Sequence, residues 1–132
     1  MYELPGDVFV CGQLLPAQLE ALKDQGIQSL INNRPDQEAP LQPLSEDMEG
    51  AAQDLSVDYH YIPMLGGLTS DLIEASSKAY ENTPRPIVAF CASGMRSAAL
   101  WAFQASRSAA TASACFLIVS TSTGDNTFLT IM

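Results

Sequence analysis

Residues 86 to 105, PIVAFCASGMRSAALWAFQA, set an apolar run against a helix-like stretch with only a short small-residue bend between them. PIVAF (86–90) carries no polar side chain, the pattern of a strand buried within a sheet. GMRSAALWAFQA (94–105) follows with apolar residues at helical spacing. Cys91 stands where the strand ends, and Gly94, Arg96 and Ser97 stand where the helix opens. A buried strand joined this tightly to a helix requires a sheet covered by helices.

The remaining segments repeat the alternation. DVFVCGQ (7–13) reads as a strand that turns at Gly12, and LPAQLEALKDQG (15–26) as a helix with Pro16 in its first turn and Gly26 at its stop. IQSLINN (27–33) is a second, buried strand, followed by the polar loop RPDQEAPLQP (34–43). SEDMEGAAQDL (45–55) opens on a serine and an acidic turn, as helices do. DYHYIPM (58–64) is a third strand, LGGLTS (65–70) a loop, and SDLIEASSKAYEN (70–82) a helix. PIVAF is then the fourth strand. The expected fold is α/β, with a single mainly parallel sheet flanked by helices. Such sheets bind ligands beyond the carboxyl ends of their strands, where Cys91 sits.

At 132 residues, 47% of them apolar, the chain suffices for one domain with an ordinary core. A net charge of −9 argues against nucleic acid, and neither a basic run nor an apolar window of about 18 residues points to a membrane. MYELPGDVFV lacks the basic and apolar regions of a secretory signal. The three cysteines, Cys11, Cys91 and Cys115, and the one histidine, His60, show no paired or metal-ligating spacing. Reduced thiols in the cytoplasm, with no metal and no cofactor, are therefore expected. His60 reads as a packed or surface histidine, and Trp101 as core. Residues 1–104 form the expected domain. Residues 105–132 stand apart, since 15 of these 28 are Ala, Ser or Thr. Within them ACFLIVS (114–120) could form a strand, and the abruptness of the shift suggests an altered reading frame.

Chemistry concentrates in CASGMRS (91–97). A glycine bend before a helix lets the backbone N–H groups of Ala92, Ser93, Gly94 and Met95 point into one concavity, and the helix N-terminus adds partial positive charge. These dipoles, with Arg96, favour the thiolate of Cys91. The planar Arg96 fork suits two oxygens of a phosphate-like group, and Ser97 could donate to the sulfur. A thiolate, an anion cradle and a bidentate cation together make a site for covalent catalysis.

Three blocks, GQLLPAQLEALKDQGIQSLINNRPDQEAPLQP, YHYIPMLGGLTSDLIEA and PIVAFCASGMRSAALWA, resemble the bacterial DUF442 family, the beta-lactamase-hydrolase-like protein phosphatase-like domain. The resemblance covers roughly residues 7 to 103. It implies a dual-specificity-phosphatase-like fold, with Cys91 as nucleophile and Arg96 as phosphate clamp. Two departures stand out. Tyrosine phosphatases usually carry Cys-x5-Arg, whereas this loop is Cys-x4-Arg, as in rhodanese-like sulfurtransferases; and Phe90 replaces the histidine that often precedes the cysteine.

Such an enzyme needs a proton donor for the leaving oxygen. The loop 65–70 has no acid, Asp71 reads as a helix-opening residue and Asp58 as a turn residue, which leaves Asp36 and Glu38, with Asp36 the first choice. Arg34 either adds charge at the rim or pairs with Asp36. The leading expectation is a cysteine-dependent phosphatase for a phosphorylated peptide or small molecule. A sulfurtransferase using a Cys91 persulfide and a non-catalytic anion-binding module are the alternatives.

Overall fold

The structure is a computed structural model that describes residues 1–107. The possible strand at 114–120 and Cys115 lie outside the described residues. The strands β1 (Tyr2–Leu4), β2 (Val8–Cys11), β3 (Ser29–Asn32), β4 (Asp58–Tyr61) and β5 (Ile87–Phe90) form one sheet in the order β1-β2-β5-β3-β4. Only β1 runs antiparallel, paired with β2; the β2–β5, β5–β3 and β3–β4 pairs are all parallel. The helices are α1 (Leu19–Asp24), entered through a 3₁₀ turn at Pro16–Gln18, α2 (Ser45–Asp54), α3 (Ser70–Asn82) and α4 (Met95–Ser106).

The strand β1 was not visible in the sequence. At three residues it is too short to show a period, and it is made by a hairpin in which Gly6 and Asp7 take positive φ, 84° and 60°. The other strands lie within their expected segments.

The apolar character of β5 follows from burial on both faces. Ile87 and Ala89 join Val8, Val10, Ile31, Ala98 and Trp101 beneath α3 and α4. Val88 and Phe90 face the opposite way, with Leu19, Leu30, Met48 and Ala52 beneath α1 and α2. Helix–sheet–helix layering therefore holds β5 from both sides, and Phe90 is fully buried. No helix among the described residues is long and apolar enough to cross a membrane. His60 lies beside Thr83, with Nε2 and Oγ1 3.1 Å apart.

The register sets out the site. Cys11, Phe90, Asn32 and Tyr61 form one row across the parallel strands, each at the carboxyl end. Gly12, Cys91, Asn33 and Ile62 follow one residue further along the chain. Central strand ends, and the loops that leave them, thus meet at a single edge.

Candidate active site

Cys91 is fixed by the turn that follows it. Its N–H donates to the Cys11 carbonyl at 3.4 Å, and the Gly94 N–H donates to its Sγ at 3.0 Å. Gly94 reaches that position at φ 97°, in the region that favours glycine. A Cβ there would stand 3.2 Å from the Cys11 carbonyl oxygen and 3.3 Å from its carbon. Gly12 meets the same constraint from the other side, where a Cβ would lie 3.0 Å from the Ala92 oxygen. The two glycines let β2 and the cysteine turn pack backbone against backbone. We expect Gly94→Ala to destabilise the domain by about 1–2 kcal/mol, the scale for forcing a side chain into the left-handed region, read from a urea melt against the wild type.

Helix α4 starts at Met95, so the N–H groups of Arg96 and Ser97 have no intrahelical carbonyl to bond. They join the helix dipole at the same point. Met95 N–H donates to Ser93 Oγ at 3.3 Å, and Ala92 and Ser93 are exposed at the mouth. The sequence placed Ser97 as a donor to the sulfur. Instead its hydroxyl donates to Asn33 Oδ1 at 2.8 Å, because Ser97 lies on the buried side of α4, facing the end of β3. Gly94 supplies the sulfur's hydrogen bond.

Asn33 was missed, and it organises the site. It is buried; its N–H donates to the Phe90 carbonyl at 2.8 Å and its Nδ2 to the Ile62 carbonyl at 2.9 Å. Its own carbonyl accepts from Met64 N–H at 3.0 Å, while Oδ1 takes the Ser97 hydroxyl. One side chain thus ties β3, the segment after β4, and α4 together. The available signal was the polar pair Asn32-Asn33 closing an otherwise buried strand.

The loop 34–43 leaves β3 next to this point. Asp36 Oδ1 accepts the Ser45 N–H at 2.8 Å, at the start of α2, and Asp36 N–H donates to Tyr61 Oη at 2.9 Å. Gln42 crosses the loop, with Nε2 to the Pro35 carbonyl at 2.8 Å and Oε1 taking the Glu38 N–H at 3.1 Å. Arg34 does not pair with Asp36. Its Nε binds Glu38 Oε1 at 3.0 Å and its Nη1 binds Gln13 Oε1 at 3.1 Å, since Asp36 is turned toward α2.

Glu38 spans both arginines. Its carboxylate sits on Arg96 with Oε2 to Nη1 and Oε1 to Nη2, each 2.8 Å, and Arg96 Nη1 also donates to the Met64 carbonyl at 3.2 Å. Hydrogen bonds from Arg96 first, and then from Arg34, hold the Glu38 carboxyl down at about 2. Arg96 in turn holds its proton more firmly, chiefly through Glu38 and in smaller part through the Cys91 sulfur. Arg96 therefore brings a positive charge to the Cys91 sulfur while being paired with Glu38. Burial pushes the nearby Cys11 thiol up to about 11. The described residues contain no group of three His, Cys, Asp or Glu side chains that could hold a metal ion.

The sequence and the fold are shared with known proteins. Residues 2–114 match the family model of the beta-lactamase hydrolase-like protein, phosphatase-like domain. The chain belongs to that family. Beta-lactamase hydrolase-like protein of Agrobacterium fabrum is 34% identical over 93 residues, 70% of this chain but 22% of the relative. That of Xylella fastidiosa is 34% identical over 79 residues, 59% of this chain and 18% of the relative. The chain thus spans about a fifth of the length of these relatives. Among solved structures, a candidate phosphatase from Neisseria meningitidis superposes with a TM-score of 0.67 at 26% identity, covering 74% of this chain and 70% of that one. The catalytic core of the PP-IP phosphatase SIW14 of S. cerevisiae, in complex with citrate, superposes at 0.61 with 16% identity, over 76% of this chain and 61% of that one. The fold of this family member is dual-specificity-phosphatase-like, as the resemblance implied.

Proposed function

We propose that this phosphatase-like domain is a cysteine-dependent phosphomonoesterase. The observation that carries the reading is the pairing of Cys91 Sγ with the Gly94 N–H at a helix N-terminus that also presents Arg96. In this reading Sγ attacks phosphorus while the leaving oxygen departs, giving a cysteinyl-phosphate. Water then attacks phosphorus, and Sγ leaves as thiolate with release of phosphate. The backbone of Ala92, Ser93, Gly94 and Met95, with the first-turn N–H groups of α4, surrounds the phosphoryl oxygens. Arg96 clamps them, and Arg34 extends the positive rim. Ser97 serves through Asn33, by fixing the start of α4 against β3.

The substrate class is a phosphorylated peptide or small molecule. The acidic surface disfavours strongly anionic substrates at long range, so the encounter depends on the local pair of arginines.

We assign Asp36 a holding role, in keeping with its bond to the first turn of α2. Asp36→Asn keeps an oxygen for the Ser45 N–H. It is expected to change turnover of alkyl and activated aryl phosphates by the same small factor. A loss confined to the alkyl phosphates would make Asp36 the proton donor.

The test of the whole reading is a paired assay on the purified chain. Phosphate release from p-nitrophenyl phosphate, without thiocyanate formation from thiosulfate and cyanide, is the expected result. Thiocyanate alone would make the short loop a persulfide carrier, and silence in both arms from folded protein would leave an anion-binding module.

A further inference from the structure

Two features of the site do not fit a finished phosphatase pocket. The residue Cys91 has no exposed surface, and the Arg96 end that would grip phosphate is already filled by a carboxylate. Glu38 is the one acidic side chain bonded to Arg96 among the described residues. Its backbone is pinned by Gln42, while its side chain remains partly exposed, so side-chain rotation alone would release Arg96.

We propose, resting on the phosphatase reading, that Glu38 is the proton donor for the leaving group, recruited when phosphoryl oxygens replace it on Arg96. In the free protein Glu38 is committed as an anion to two guanidinium groups, and a carboxylate so held has no proton to give. A phosphate dianion competes for the same fork with more charge and a matching pair of oxygens. Its arrival removes the main partner that keeps Glu38 ionised and adds a like charge beside it. Both changes favour the protonated carboxyl. The acid is therefore armed only when substrate is present.

The step balances. The Sγ–P bond forms, the P–O bond to the leaving group breaks with its electron pair going to oxygen, and the Glu38 proton transfers to that oxygen. In the second half the Glu38 carboxylate accepts a proton from the attacking water, and the S–P electron pair returns to sulfur. The tie to Arg34 keeps the released carboxyl on the rim of the site.

Glu38→Gln separates this role from simple positioning of Arg96, because the two roles have opposite signs. If Glu38 competes with the anion, the variant binds tungstate more tightly by calorimetry, since a neutral amide is easier to displace. If Glu38 only holds Arg96 in place, tungstate binding weakens. In turnover, the proposal expects kcat for an alkyl phosphate to fall on the order of 100-fold, the scale of general acid catalysis, with a much smaller loss for p-nitrophenyl phosphate. It also expects a fall in wild-type kcat at high pH with the alkyl substrate, and loss of that fall in Glu38→Gln. Glu38→Asp, which keeps the carboxyl, recovers part of that turnover.

Weaker or unchanged tungstate binding overturns the proposal, and so does an equal loss for both leaving groups. Failure of the phosphatase reading itself would show differently, as a wild-type chain that binds tungstate and releases no phosphate from either substrate.

Discussion

Replacing Cys91 with serine will abolish phosphate release, by a factor on the order of 10⁴ or more, while tungstate binding persists. The substitution exchanges sulfur for oxygen in a side chain with no exposed surface, so packing against the β2 and β5 ends is retained. The Gly94 N–H remains in place to donate, and Arg96 and the opening of α4 are untouched. What disappears is the nucleophile, because a serine hydroxyl holds its proton where a thiol can give it up. Retained anion binding with lost turnover would assign chemistry to Cys91 and affinity to the cradle. Turnover that survived the change would place the reaction elsewhere in the chain.

Asn33→Leu will destabilise the domain by about 2–6 kcal/mol, read from urea unfolding. Leucine approximates the shape of asparagine but offers neither the Nδ2 donor nor the Oδ1 acceptor. The Ile62 carbonyl and the Ser97 hydroxyl then lose buried partners, at about 1–3 kcal/mol each. The backbone bonds of Asn33 to Phe90 and Met64 do not depend on the side chain and should remain. Ser97→Ala alone leaves only Asn33 Oδ1 bare, so a smaller cost of about 1–3 kcal/mol is expected. In a double-mutant cycle the two changes should couple, since they share one hydrogen bond. Additive costs would mean that the Asn33–Ser97 bond does not join β3 to α4.

These two residues also show what the sequence could and could not reveal. The place of Cys91, at the end of β5 and before the glycine bend that opens α4, was legible because an apolar strand, a glycine bend and an Arg-Ser pair leave few local structures open. The alternation of strands and helices followed from residues buried on one or both faces, which period and composition report well. Asn33 was hidden because its importance lies in partners on β5, the segment after β4, and α4, and nothing local to Asn-Asn-Arg reveals them. Ser97 was given the wrong partner for the same reason. Its side chain follows the buried face of α4 rather than the loop it adjoins in sequence.

The loop 34–43 was legible only as a place. Its position beside the cysteine turn depended on β3 and β5 being neighbours, which the parallel register between Asn32 and Phe90 supplies. Which of its two acids meets Arg96 depended on the direction of each side chain within an irregular loop. Gln37 and Leu41 both take positive φ there, at 66°, a conformation that a reading based on strand or helix periods does not anticipate. Asp36 consequently turns to the start of α2, and Glu38 turns to the arginines.

The proposed reaction carries a phosphoryl group on Cys91. A rapid quench of the wild-type chain during turnover of p-nitrophenyl phosphate, in denaturant, followed by intact-mass and peptide analysis, will show a mass gain of one phosphoryl group on the peptide that holds Cys91. Steady phosphate release with the adduct on another peptide, or with no adduct under conditions where nitrophenolate appears in a burst, would contradict it.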